Sequence, residues 1–143
     1  MPNVELGPKR VGVPHVIESC DGVYGIYKPE GWLTHTVGDG VPSLDDWLDA
    51  RDDTCGLRPV HRLDKLTSGV LLAAREPEVR ARLSSMLEGG DVRKEYVALV
   101  YGTTRPKGVI RRALKDGRRG RALDAETHYR RIASNERLTL LRV

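Results

Sequence analysis

The chain has 143 residues, of which 39% are hydrophobic and 31% charged. A chain of this size can bury one sizeable core, so we expect a single globular domain. No stretch of the sequence approaches the roughly 18 apolar residues of a membrane span, and the polar N-terminus lacks the apolar segment of a secretory signal. These features predict a cytoplasmic protein. The two cysteines have no metal-ligand spacing, which disfavours a zinc site.

The net charge of +4 is unevenly distributed along the chain. Ten Lys or Arg residues lie between Arg93 and Arg121 against two carboxylates, Glu95 and Asp116, so this segment carries +8 and the remainder −4. Such a segment attracts polyanions, because binding releases the counterions around their phosphates. A basic loop is as often only a solvated surface, so composition alone leaves both interpretations open.

The first half of the chain predicts a strand, a helix and a second strand. GVYGIYK is rich in β-branched and aromatic residues and predicts a strand that ends at a Pro-Glu-Gly turn. SLDDWLDARDD predicts a helix that begins after Ser43, with Leu44, Trp47 and Leu48 on one face. GVLLAA is short and apolar and predicts a buried strand.

The second half continues the alternation, which favours one α+β unit. EPEVRARLSSMLEGG predicts a helix with Pro77 in its first turn and a Gly-Gly stop. Its apolar positions are expected to face inward; they are Val79, Leu83, Met86 and Leu87. RKEYVALVYG is apolar on both faces and predicts a central strand. ETHYRRI and RLTLLRV predict two more strands, preceded by an exposed Gly- and Arg-rich connection, KDGRRGRA.

The segment RPVHRLDKLTSGVLLAA places a histidine, an arginine and an aspartate within four positions. Asp64 is expected in a loop before the buried strand, beside Arg62 and Lys65, whose charges favour the ionised carboxylate. An ionised carboxylate suits a nucleophile or a base better than a proton donor. Local chemistry alone still favours an aspartate that closes a turn. His61 lacks enough converging partners for a metal site, which favours a packing or hydrogen-bonding role for its ring.

Four blocks of the sequence resemble one known family. HRLDKLTSGVLL resembles the HRLDxxTSGxLL signature of the RluA-type RNA pseudouridine synthases. YKPEGWLTH is similar to the KPxG turn of that family, and RKEYVALVYG is similar to its K-x-Y-x-A strand. RALDAETHYRRI resembles the segment that leads into the next strand. The blocks follow one another in the order that the family has.

The resemblance implies an α+β fold with a mixed, mainly antiparallel central sheet flanked by helices. It implies isomerisation of uridine to pseudouridine in ribosomal or transfer RNA, with no metal and no organic cofactor. Asp64 matches the catalytic aspartate, and Tyr96 matches a tyrosine whose ring stacks on the detached uracil while its hydroxyl lies near the proton lost from C5. A stacked base is out of reach, so base flipping is implied as well. The RNA- or substrate-binding candidates from the motifs are Arg62, His61, Thr67, Ser68, Gly69 and Lys28.

The sequence departs from the family pattern after RLTLLRV. The family continues into a TGRxHQIRxH-like block whose arginine pairs with the catalytic aspartate, whereas this sequence stops at Val143. We therefore expect residues 1–20 to be an N-terminal extension and 21–143 to form a partial catalytic domain. Its incomplete sheet predicts pairing with a second copy or with a partner chain.

Three functions remain open at this point. The first is an RNA pseudouridine synthase, and the second is a catalytically inactive RNA-binding remnant of such an enzyme. The third is a protein-interaction module whose open sheet edge recruits a strand.

Overall fold

The computed structural model describes residues 12–38, 40–115 and 122–143. The chain divides into two compact units, Met1–Val92 and Arg93–Val143. In the described ranges, the first unit contains β1 (His15–Cys20), β2 (Val23–Lys28), α1 (Leu44–Asp49), β3 (Arg58–Pro59), β4 (Gly69–Ala74) and α2 (Pro77–Gly89). The second contains β5 (Val97–Tyr101), β6 (Lys107–Arg111), β7 (Leu114–Lys115), β8 (Ala122–Leu123), β9 (Glu126–Ser134) and β10 (Leu138–Arg142). The expected α+β class is confirmed.

The first unit is built on an antiparallel four-stranded sheet in the order β1-β2-β4-β3. The pairing of β2 with β4 ends with Lys28 opposite Gly69, next to the segment that carries Asp64. Strand β1 lies inside the segment 1–20 that the sequence assigns to an N-terminal extension. Because β1 pairs with β2 along its length, it is an outer strand of this sheet.

The core of the first unit lies between this sheet and α1. Ser43 caps α1 as predicted, since its hydroxyl accepts a hydrogen bond of 3.1 Å from the Asp46 N–H. The predicted apolar face is also confirmed, with Leu44 and Leu48 buried and Trp47 packed against the core at partial exposure. The buried core cluster comprises Ile26, Leu44, Leu48, Leu57, Leu63, Leu71 and Ala73.

Helix α2 has the predicted ends but a more exposed body than predicted. Pro77 occupies its first turn, and Gly90 ends it in the left-handed conformation at φ 82°. The four residues expected to face inward are only half-buried, and no residue of α2 is buried. Within its unit α2 packs mainly against β4, which is too narrow a surface to cover its apolar face. Neither α1 nor α2, the helices of the described ranges, has the length and apolar composition of a membrane span.

The second unit holds an antiparallel sheet in the order β5-β10-β9-β6 and a separate β7-β8 pair. The strands predicted from ETHYRRI and RLTLLRV are confirmed as β9 and β10. The strands that we expected in one central sheet are thus divided between two sheets. Of the connection KDGRRGRA, residues 116–121 lie outside the described residues.

The prediction of a central strand for RKEYVALVYG is wrong for the described residues. Strand β5 lies at the end of the strand order, and Val97, Leu99 and Tyr101 are exposed on one of its faces. Apolar residues on both faces are typical of a strand with neighbours on each side. The pattern cannot show whether those neighbours are present, which is why the prediction failed.

Strand β4 allows a test of which side chains face the core. Leu71→Ala is expected to lower the free energy of unfolding by about 2–5 kcal/mol, because Leu71 has no exposed surface. Val70→Ala, at the adjacent residue that is 53% exposed, is expected to change it by about 1 kcal/mol or less. Urea unfolding monitored by circular dichroism measures both. An equal loss of unfolding free energy in the two variants would contradict the assignment of Leu71 to the core face of β4 and of Val70 to its exposed face.

Candidate active site

The HRLD segment exposes two charged side chains on either side of a buried one. Leu63 is 7% exposed and belongs to the core cluster. The side chains of its neighbours Arg62 and Asp64 are 60% and 87% exposed. Leu63 therefore fixes the segment to the core while the Asp64 carboxylate stays open to a ligand from solvent.

Thr34 holds the backbone of Leu63 from the neighbouring loop. Its hydroxyl donates to the Leu63 carbonyl at 3.0 Å and accepts from the Leu63 N–H at 3.2 Å. Thr34 is 4% exposed, so both hydrogen bonds are shielded from water. No residue pattern pointed to Thr34 as a positioning residue, although it lies in the YKPEGWLTH block. A small hydroxyl residue within that block was the only signal for it.

Lys28 holds the residue that follows Asp64. Its side chain is fully buried, and Nζ donates to the carbonyls of Pro29, Trp32 and Lys65 at 3.0, 2.8 and 3.4 Å. The Gly31 N–H donates to the same Lys65 carbonyl at 2.7 Å. Gly31 has φ 83°, a backbone conformation that residues with a side chain rarely adopt. Glycine at this position lets the turn fold back over the Lys28 ammonium. The turn after β2 and the loop of Asp64 are thereby joined.

Two positive charges act on Asp64. Arg62 Nη2 lies 4.0 Å from Asp64 Oδ1, at the outer limit of an ion pair. Burial lowers the pKa of the Lys28 ammonium, and the negative charge of Asp64 opposes this by raising it. The sequence predicts Lys65 as the second cation, but in the described residues Lys65 contributes its carbonyl to the loop and its side chain forms no ion pair.

Lys28, predicted to bind RNA or substrate, is buried beside the loop of Asp64. The side chain has no exposed surface, and its ammonium donates to three backbone carbonyls. A long side chain beside a KPxG turn looks exposed in sequence, because lysine is almost never fully buried unless its charge is satisfied. Lys28 is therefore a positioning residue for the loop.

The remaining candidates of the first unit lie around the same loop. The Thr67 N–H donates to the Asp64 carbonyl at 3.0 Å and closes a turn. Gly69 has φ 151°, and a Cβ there would lie 3.4 Å from Leu63 Cδ1, so this position favours glycine. Ser68 is exposed between them. His61 Nε2 accepts a hydrogen bond of 3.1 Å from the Leu72 N–H. No group of three His, Cys, Asp or Glu side chains in the described residues is placed to hold a metal ion.

Tyr96 lies in the second unit, one residue before β5. Its N–H donates to the Val143 carbonyl at 2.8 Å, and its carbonyl accepts from the Val143 N–H at 2.9 Å. These two bonds extend the pairing of β5 with β10. The residue is 43% exposed, so a fixed backbone carries a ring that a ligand can reach.

Comparison with known proteins identifies the family. The family model for RNA pseudouridylate synthase matches residues 23–143, a span that contains all four motif blocks. The chain belongs to this family. It is 32% identical over 147 residues to tRNA pseudouridine synthase C of Pectobacterium carotovorum, covering 85% of this chain and 35% of the relative. It is 34% identical over 134 residues to ribosomal large subunit pseudouridine synthase D of Xanthomonas campestris, covering 81% and 39%.

A solved structure supports the same fold. Human RNA pseudouridylate synthase domain containing 4 superposes with a TM-score of 0.73 at 22% identity, covering 89% of this chain and 57% of that structure. The chain therefore spans only part of the pseudouridine synthases that it matches. The family that the HRLD motif predicted is confirmed.

The role of Lys28 can be tested by replacing its ammonium with an uncharged side chain of similar length. Lys28→Met is expected to lower the free energy of unfolding by about 2 kcal/mol or more, because buried carbonyls lose their donor. Lys65→Met is the matched control, since the Lys65 side chain is exposed and forms no hydrogen bond with the described residues. Urea denaturation measures both variants. A loss that is equal in the two would show that the buried ammonium does not support the loop.

Proposed function

We propose that this chain is an RNA pseudouridine synthase that isomerises uridine in structured RNA, with Asp64 as its catalytic aspartate. The observation that carries the proposal is the exposed Asp64 carboxylate on a loop whose flanking residues, Leu63 and Lys65, are hydrogen-bonded by the buried side chains of Thr34 and Lys28. Catalysis needs a reactive group that is accessible and fixed in position, and this arrangement supplies both. Membership of the pseudouridylate synthase family supports the assignment.

The reaction rearranges bonds without oxidation or reduction. The bond between N1 of the uracil and C1′ of the ribose breaks, a bond between C5 and C1′ forms, C5 loses its proton to solvent, and N1 takes up a proton from solvent. A carboxylate can serve this reaction by attacking the sugar or the base, or by removing a sugar proton to give a glycal. Both routes require the negative charge of Asp64, so the proposal holds for either.

Tyr96 and Arg62 complete the proposed machinery. Tyr96 is 43% exposed, and its match to the family's tyrosine supports a ring that stacks on the detached uracil with its hydroxyl near the C5 proton. A uridine inside a helix must leave its stack before the carboxylate reaches it. The exposed Arg62 side chain then fills the vacated space or holds a phosphate. Thr67, Ser68 and Gly69 shape the loop, and His61 fixes its start to β4.

The names of two relatives support the proposed substrate class. One is named for transfer RNA and the other for the large ribosomal subunit, so ribosomal or transfer RNA is the proposed substrate. The alternative function is an RNA-binding remnant without turnover. Binding and turnover must therefore be measured separately.

Tritium release from RNA that contains 5-tritiated uridine tests the proposal. The parent chain is expected to release tritium, and Asp64→Asn is expected to lower the rate by about 100-fold or more. Asp52→Asn is the matched control, because Asp52 is an exposed aspartate of the same unit with no side-chain partner in the described residues. A mixture of ribosomal and transfer RNA serves as the substrate.

Two outcomes would contradict the proposal. Release that persists in Asp64→Asn would exclude Asp64 as the catalytic group. RNA binding without release from the parent chain would establish the remnant instead. Affinity for RNA should be nearly equal in the parent and in Asp64→Asn, because the substitution removes a catalytic charge and leaves the basic surface intact.

A further inference from the structure

The second unit presents three positive charges side by side on one face of its sheet. Arg142 of β10 is paired directly with Arg130 of β9, and Arg130 is paired directly with Lys107 of β6. Residues that are directly opposite in an antiparallel sheet share a face, and neighbouring strands lie about 4.8 Å apart. All three side chains are exposed. We call these three residues the basic row.

The basic row has no counter-charge in the part of the chain that the structure describes. None of its three side chains forms an ion pair or hydrogen bond there. Like charges directly opposite one another destabilise a sheet. The row therefore carries an electrostatic cost that no described contact offsets, which is the pattern of a surface that binds an anion.

A neighbouring part of the same face shows the contrasting arrangement. Arg111 lies directly opposite Glu126, and its Nε donates to Glu126 Oε2 at 2.6 Å. His128 Nε2 lies 2.5 Å from the other oxygen of this carboxylate. The hydrogen bonds from His128 and Arg111 lower the pKa of Glu126. The Arg111 guanidinium is thus paired with a carboxylate of the sheet, whereas the basic row has no ion-pair partner among the described residues.

The basic row lines a groove that contains further cations. The groove has a volume of about 830 Å³ and is lined by Arg93, Lys94, Glu95, Lys107, Gly108, Val109, His128, Tyr129, Arg130, Arg142 and Val143. Five of these residues are Lys or Arg. The single carboxylate, Glu95, already forms an ion pair with Arg93. A groove with this charge fits a ligand that repeats negative charges along its length.

Aromatic surface lies on the same face as the row. Val97 of β5 is directly opposite Arg142, and alternate residues of a strand share a face, so Tyr101 points to this side as well. Tyr101 is 93% exposed. A sheet face that carries both basic side chains and an exposed aromatic ring is typical of proteins that bind single-stranded nucleic acid, because the ring stacks on unpaired bases of any sequence.

We propose that the basic row binds the phosphate backbone of a single-stranded RNA segment. This inference rests on the proposed function, since it assigns part of the RNA contact to the second unit. Arginine suits the role because its guanidinium donates two parallel hydrogen bonds to a phosphate. Two of the three residues, Arg130 and Arg142, lie outside the basic segment 93–121 that composition singled out.

The dependence of RNA affinity on salt tests the proposal. The probe is a short fluorescent single-stranded RNA without uridine, which binds but cannot be isomerised. Each phosphate contact to a single strand contributes about 0.7 to the slope of log K against log salt concentration. Replacing Lys107, Arg130 and Arg142 together with Gln is therefore expected to make the slope shallower by about 2 between about 50 and 200 mM salt.

A second triple variant controls for net charge. Replacing Arg82, Arg105 and Arg137 with Gln removes the same charge from exposed side chains that form no ion pair with the described residues. This control is expected to change the slope much less. An equal change in both triple variants, or no change in the basic-row variant, would overturn the proposal and assign the row to another partner, such as an acidic protein.

A single substitution keeps the test valid if the triple variant does not fold. Arg130→Gln removes the middle charge of the row and is expected to lower the slope by about 0.7. It also relieves two like-charge contacts, so its melting temperature should equal or exceed that of the parent chain. The RNA without uridine reports binding alone, and the RNA with 5-tritiated uridine reports turnover. A slope that changes on the first RNA, with no tritium release from the second, would overturn the proposed turnover alone.

Discussion

The burial of the Lys28 ammonium is the constraint on which the proposed active site depends. A buried charge is strongly destabilising unless hydrogen bonds replace its water. Lys28 meets this requirement with the carbonyls of Pro29, Trp32 and Lys65, so the turn after β2 and the loop after Asp64 must both fold around it. Thr34 and the buried Leu63 fix the preceding residue in the same way. Asp64 is exposed, but its position is determined by groups that are buried.

In the second unit, one face of the sheet carries buried residues and the other face carries exposed positive charges. Its inner strand β10 carries the buried residues Thr139 and Leu141, and Val143, the residue after this strand, is hydrogen-bonded to the backbone of Tyr96. The opposite face carries the cations of the basic row, which no described carboxylate neutralises. Asp64 in the first unit and Tyr96 in the second are therefore each carried on a backbone that is hydrogen-bonded in place. The proposed RNA contact adds a function for charges that otherwise weaken the sheet.

Local signals in the sequence predicted much of the fold. The Ser43 cap and Pro77 at the start of α2 act within one turn of chain, so a single sequence reveals them. Three features depend on residues that are distant in sequence and could not be predicted in this way. The position of β5 at a sheet edge depends on which strands pair with it. The burial of Lys28 depends on a carbonyl 37 residues away. The basic row joins residues of three strands. The Asp64 site was predicted only because a long motif resembled a known family.

The most direct test of the central claim is the pKa of Lys28, measured by NMR titration of the chain with ¹³C-labelled lysine. Burial should place this pKa below the ordinary lysine value of 10.5, and the charge of Asp64 should partly offset the shift. Asp64→Asn should therefore lower the pKa of Lys28 further, while Asp52→Asn should leave it unchanged. A pKa of 10.5 in the parent chain, or one that does not respond to Asp64→Asn, would contradict a buried ammonium that holds the catalytic loop.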